Sequence, residues 1–162
     1  MDILRSHILY IEDHEDTREL VTLVLAESNH SVTTTSSSKD ALRLAREQHF
    51  DLYILDSWLA DGTGIELCQR LREFDRGTPI MFFSGAAYET DKQAALDNGA
   101  QCYLVKPADI QVLRDEVNTL IDAFKNKNKR PLGITRGYPS VSARADDSAR
   151  SSTFPSAESV AL

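Results

Sequence analysis

Cysteine is scarce in this chain, with Cys68 and Cys102 the only two among 162 residues. They form no CxxC pair and no histidine cluster accompanies them, which speaks against a thiolate metal site or a disulfide framework. Both fall in apolar periodic segments and read as small buried thiols of a reducing compartment. No apolar run reaches the length of a membrane span, and Met1-Asp2-Ile3-Leu4-Arg5 does not open a signal peptide. A cytoplasmic location is therefore expected, with no membrane association. The glycines form neither GxGxxG nor GxxxxGK, so the phosphate-cradling loops of nucleotide enzymes are missing too. His7, His14, His30 and His49 show no ligand spacing and read as surface or strand-edge residues. Basic charge is thin over residues 1–124, which carry 11 Lys and Arg against 22 Asp and Glu. Such a surface does not suit nucleic acid, so no direct DNA binding is expected, and it does suit a cation.

What the chain does have is alternation. Five short runs, His7–Ile11, Ser31–Thr35, Asp51–Leu55, Pro79–Phe83 and Cys102–Val105, read as strands. Three are nearly continuous apolar residues, as parallel strands covered on both faces require. Ser31–Thr35 is β-branched but polar, which places it at a sheet edge. Between the runs lie helical patterns over 14–28, 38–48, 63–75 and 88–98, with Ser38 a candidate cap for the second. A fifth helix closes the series, its stripe formed by Ile110, Leu113, Val117, Leu120, Ile121 and Phe124. Five strand–helix alternations predict a doubly wound α/β sheet with right-handed crossovers. From about Lys125 the composition turns to Asn, Lys, Ser, Arg, Ala and Pro, with isolated Tyr138 and Phe154. Residues 125–162 lack the apolar periodicity to offset ordering entropy and are expected to be a disordered tail.

The charges sit at informative places. In an open parallel sheet, ligands bind beyond the carboxyl ends of the strands. Run one ends in Glu12-Asp13, run three in Asp56, run four in Ser84 and run five in Lys106-Pro107. Three carboxylates crowded together repel each other unless a cation neutralises them. With oxygen ligands only, a hard ion fits, and Mg2+ is the natural choice. Lys106 adds a compact positive charge and Ser84 a hydroxyl donor. A carboxylate nucleophile, a divalent ion, a lysine and a hydroxyl are the parts needed to form an aspartyl phosphate.

At these residues the sequence resembles the receiver domains of two-component response regulators. The likeness rests on Glu12-Asp13, Asp56-x-x-Leu59-x-Asp61-Gly62-x-Gly64, Ser84-Gly85 and Tyr103-x-x-Lys106-Pro107, and it covers residues 6–124. It implies a flavodoxin-like sheet of five parallel strands, order 2-1-3-4-5, with five helices. It also implies that Asp56 accepts a phosphoryl group in a Mg2+-dependent reaction. Asp13 and Glu12 would hold the ion directly or through water, Asp56 would be a ligand as well as the acceptor, and the backbone carbonyl of Trp58 would complete the protein ligands. Lys106 would pair with the acceptor, while Ser84 and Tyr103 would form a switch. A cis bond before Pro107 belongs to the same resemblance. So do the partners: a sensor histidine kinase or a histidine phosphotransfer protein as donor, and an output protein at the face of the fourth and fifth helices.

Two positions depart from the family pattern. Ala60 stands where proline is usual, and Trp58 is bulky for its place two residues past the acceptor. On the approach of a hydrolytic water, an indole predicts slow self-dephosphorylation, unless it turns out to the surface. Two rival readings stand beside the switch. A docking scaffold that works without phosphorylation would have no need of Glu12, Asp13, Asp56, Ser84 and Lys106 together. A phosphoaspartate hydrolase of the haloacid dehalogenase kind needs a second aspartate where Trp58 stands. No helix-turn-helix or catalytic motif is visible after Phe124, so output by protein–protein contact or onward phosphotransfer is expected.

Overall fold

The computed structural model of the protein describes residues 5–129. Five strands, β1 (His7–Ile11), β2 (Ser31–Thr35), β3 (Leu52–Leu55), β4 (Ile80–Ser84) and β5 (Cys102–Val105), alternate with five helices. These are α1 (Glu15–Ala26), α2 (Ser38–Glu47), α3 (Gly64–Phe74), α4 (Glu89–Asp97) and α5 (Ile110–Asn128). The strands form one parallel sheet in the order β2-β1-β3-β4-β5. The polar run Ser31–Thr35 lies at the edge, as its composition predicts, and β3 and β4 are buried along their whole length.

Alternation along each strand builds two cores. Ile8, Tyr10, Leu52, Ile54, Met81 and Phe83 pack against Val21 and Leu25 of α1 and Leu113, Val117 and Ile121 of α5. On the opposite face, Leu9, Ile11, Tyr53, Leu55 and Phe82 meet α2, α3 and Ala95 of α4. Val21 and Leu25 are the buried residues of α1, and Leu20 beside them is left half exposed. Both cysteines are free, and burial pushes their thiols up to about 11, as expected of packing residues. Among the described residues no helix is long and apolar enough to cross a membrane.

The helix starts differ in detail from the sequence reading. Ser37, not Ser38, caps α2, its hydroxyl accepting the Asp40 N–H at 3.2 Å. Ser38 is instead buried, and its own N–H donates to Asp61 at 2.9 Å, beside that of Lys39 at 3.1 Å. A carboxylate from the loop after β3 thus covers the positive end of α2. That loop folds back as a small antiparallel ladder, Trp58–Leu59 against Gly62–Thr63. Gly62 turns it at φ 151°, a conformation L side chains rarely adopt. Thr63 and Glu66 then close a reciprocal capping box on α3. At the other end of the domain, α5 continues past Phe124 to Asn128. Its last residues have no apolar stripe, but Lys125 and Lys127 suit the negative end of the helix, and Lys125 Nζ reaches Ser6 Oγ at 2.7 Å. The disordered tail expected over residues 125–162 is thus corrected at its start, where residues 125–128 belong to α5, and from 130 onward it lies outside the described residues.

Asp75 ties the turn before β4 together, accepting from Tyr53 Oη (2.9 Å) and from the N–H groups of Gly77 (3.1 Å) and Thr78 (3.0 Å). Burial pulls its carboxyl upward, but these donors outweigh burial and hold it below its ordinary value of 3.8. A depressed carboxyl contributes stability that is whole at neutral pH and lost as pH falls from about that value through the lower folded one. Asp75→Asn should therefore lower the thermal midpoint at pH 7 and flatten its acid limb. An unchanged dependence between wild type and variant would show that other groups carry that limb.

Candidate functional site at the carboxyl ends of the strands

The residues following β1, β3 and β5 and the last residue of β4 meet in one cleft. Asp13, Asp56, Ser84 and Lys106 line it, with His14 and Trp58 at its sides. Parallel pairing of β1, β3, β4 and β5 in adjacent order brings them together across as many as 94 positions of sequence.

Lys106 is the hub. Its Nζ forms an ion pair with Glu12 Oε2 and lies 3.4 Å from Asp56 Oδ2. The peptide bond to Pro107 is cis. Glu12 is wholly buried and well supplied with donors: Tyr10 Oη donates to Oε2 at 3.0 Å, and the His14 N–H to Oε1 at 3.1 Å. Burial, then the Glu12 charge, pushes the Tyr10 phenol far above its ordinary range, so it remains a donor. Arg18 braces the turn, donating from Nη1 to the carbonyls of Glu12 (2.7 Å) and Asp13 (3.0 Å). Tyr10→Phe keeps the packing and removes one donor to a buried carboxylate. The expected cost is about 2 kcal/mol in urea unfolding, and a variant as stable as wild type would mean that Lys106 and the His14 N–H suffice.

Asp56 is buried, with Oδ1 accepting the Ser57 N–H at 2.7 Å and Oδ2 turned to Lys106. Ser84 Oγ accepts from the N–H groups of Ser57 and Ala86, both at 3.3 Å, which places its hydroxyl beside the acceptor loop. Tyr103 is turned inward: it stacks on Phe82 at 5.7 Å between centroids, and its hydroxyl donates to the Ala86 carbonyl at 2.7 Å. The same hydroxyl lies 3.1 Å from Ser57 Oγ, linking β5 to the residue after Asp56. Trp58 borders the cleft but is 65% exposed. Of the two placements its sequence position allows, the indole takes the outward one.

The donor set fits a divalent cation. Asp13 Oδ1 is closed to solvent and pairs with His14 Nδ1 at 2.9 Å, and the three carboxylates of Glu12, Asp13 and Asp56 face the single ammonium of Lys106, a balance that a cation in the cleft would offset. Glu12 is largely engaged by Lys106, Tyr10 and His14, so Asp13 offers the freer oxygen. One member of the cluster escaped the sequence reading. His14 places Nδ1 2.9 Å from Asp13 Oδ1 and 3.2 Å from Glu12 Oε1, and the three side chains offer ligand atoms all within 4.8 Å of one another. Asp56 stands outside that group. His14 lies directly beside the acidic pair, and that adjacency at a strand end was the available signal.

Residues 8–118 match the response regulator receiver domain family. The chain belongs to that family. A receiver of this kind is a signalling domain of two-component response regulators. The chain is 34% identical over 116 residues to the response regulator ArlR of Staphylococcus aureus, covering 72% of this chain and 52% of that protein. It thus spans about half the length of the relatives it matches. Among solved structures, the receiver resembles the Francisella response regulator 1452 receiver domain, at 25% identity and a TM-score of 0.70, over 74% of this chain and 98% of that one. It also resembles the chemotaxis response regulator CheY4 of Vibrio cholerae, at 26% identity and a TM-score of 0.65, over 72% and 98%.

Proposed function

We propose that this receiver is a phosphorylation-activated switch in which Asp56 accepts a phosphoryl group from a phosphohistidine, with Mg2+ as cofactor. The observation that carries the reading is Lys106 held between buried Glu12 and Asp56, 3.4 Å from the latter, at the mouth of an acidic cleft. An Asp56 carboxylate oxygen bonds to phosphorus as the bond from phosphorus to the donor imidazole nitrogen breaks, and the electron pair stays with that nitrogen. Lys106 shields the nucleophile from Glu12 and stands ready to meet the phosphoryl oxygens. Ser84 supplies a hydroxyl donor to one of them. Mg2+, when bound, neutralises carboxylate and phosphoryl charge together. Asp13 and Asp56 would hold it, with Glu12 at one remove and the Trp58 carbonyl completing the protein ligands.

The donor would be a sensor histidine kinase or a histidine phosphotransfer protein. Output would follow from Ser84 and Tyr103, whose contacts with Ser57 and Ala86 change once Ser84 engages a phosphoryl oxygen. The surface altered would be that of α4 and α5, offered to a protein partner. The test is intact-mass measurement after incubation with a small acyl-phosphate donor. One phosphoryl mass should be gained with Mg2+ and almost none with a chelator. Equal gain in both conditions would remove the cation from the reaction.

A further inference from the structure

We propose that the groove between α2 and α3 is a docking site for a short acidic protein segment. It lies on the face of the sheet opposite α1 and α5 and is independent of the phosphoryl chemistry proposed above.

Charge sets this groove apart. Its lining is Lys39, Leu42, Arg43, Arg46 and Glu47 of α2 and Arg70 of α3, around a cavity of about 340 Å³. Residues 1–124 hold 11 Lys and Arg, and four of them line it, whereas of their 22 Asp and Glu only Glu47 does. The groove therefore carries +3, while the rest of that span, 7 basic against 21 acidic residues, carries −14. Lys39, Arg43 and Arg46 recur at spacings of four and three, so they share one face of α2. Leu42 is the apolar lining.

Most of this positive charge has no carboxylate partner inside the molecule. Arg43 is held by Asp40 at 3.6 Å and Glu47 at 2.8 Å. Lys39, Arg46 and Arg70 form no ion pair among the described residues. Arg46 instead lies over the Phe74 ring, 4.6 Å from its centroid, and Phe74 is 40% exposed. That contact holds a guanidinium in place and leaves an apolar surface beside it.

Cations gathered in one groove focus a positive potential there and select a complementary anion. From Lys39 to Arg46 the helix rises about 10 Å, the reach of a few carboxylates on one short segment. Guanidinium groups meet carboxylates through paired hydrogen bonds, and Phe74 suits an apolar residue next to them. A nucleic acid would carry its phosphates beyond this stretch and over a surface of −14, which repels them.

Fluorescence anisotropy of a labelled oligoglutamate peptide, titrated with the full chain, tests the assignment. At about 0.1 M salt, charges more than about 10 Å away are largely screened. Lys39→Glu with Arg70→Glu reverses two exposed side chains that hold no ion pair. Lys92→Glu with Arg114→Glu makes the same change of net charge on α4 and α5, outside the groove, and the basic residues after Phe124 are common to every variant. The groove pair should weaken peptide binding on the order of tenfold, and the other pair by less than about twofold. No binding by wild type, or equal weakening in the two variants, overturns the proposal. Tighter, groove-dependent binding of a labelled oligothymidylate than of the peptide assigns the groove to nucleic acid and also overturns it. So does a wild-type dimer in sedimentation that the groove pair abolishes, since the occupant is then a second copy. If the reversal lowers the thermal midpoint, Lys39→Gln with Arg70→Gln repeats the comparison without adding negative charge. A loss of about threefold then upholds the proposal, and unchanged binding overturns it.

Discussion

Asp56→Asn is expected to reduce phosphoryl incorporation to background, at least a hundredfold below wild type, or about 3 kcal/mol of barrier. The amide is nearly the same shape as the carboxylate, and its oxygen can still accept the Ser57 N–H that Asp56 Oδ1 accepts at 2.7 Å. What it lacks is the charge and nucleophilicity of an oxygen able to bond phosphorus. Neighbouring acids are poor substitutes, because Glu12 is buried and engaged by Lys106 and Tyr10. The variant should remain folded, since Lys106 keeps its stronger partner in Glu12. Intact-mass measurement beside a thermal melt separates loss of chemistry from loss of fold. Labelling of Asp56→Asn at the wild-type rate would sink the assignment and place the acceptor elsewhere.

Gly64→Ala is expected to be the most destabilising small substitution near the site. A Cβ built at Gly64 would stand 2.1 Å from the Asp56 carbonyl oxygen and 2.8 Å from the Phe82 ring. Neither neighbour can give way cheaply. Asp56 is held in the sheet's register by its own N–H to the Ile11 carbonyl (3.0 Å), and Phe82 lies inside the core. The first turn of α3 runs so close beneath the acceptor that the Gly64 N–H also bonds the Ser57 carbonyl at 2.9 Å. Forcing a methyl group into that contact should cost about 3 kcal/mol and lower the melting midpoint by roughly 10 °C. Because the strain bears on Asp56 itself, residual folded protein should also take up phosphoryl groups more slowly. A midpoint within a degree or two of wild type would mean that α3 shifts freely and that this close approach is not needed.

Much of this architecture is legible in the sequence, because it depends on short-range periodicity. Apolar runs of four or five residues between helical stripes dictate parallel strands with crossovers, and the polar character of Ser31–Thr35 sends it to the edge. The strand ends are legible for the same reason: Glu12-Asp13, Asp56, Ser84 and Lys106 each stop or follow an apolar run, and a parallel sheet gathers such ends on one side. Helix limits are less legible where the stripe ends but helical residues continue, as in Lys125–Asn128.

What only the tertiary structure decided concerns direction and choice among partners. Three carboxylates in sequence look equivalent, yet Lys106 pairs most closely with Glu12, because Glu12 is buried and needs a counter-charge more than Asp56 does. Trp58 could have covered the acceptor, and the ladder with Thr63 turns it outward instead. Asp61 caps a helix 22 residues earlier in the chain, which no local pattern reveals. His14 has no ligand spacing in sequence, and it joins Glu12 and Asp13 because the backbone turns there from β1 into α1. The order of residues carries the periodicities that make strands and helices, and so the side of the sheet on which chemistry gathers. The few ångströms that set which charge meets which are fixed by packing between distant segments, where separation along the chain says nothing about separation in space.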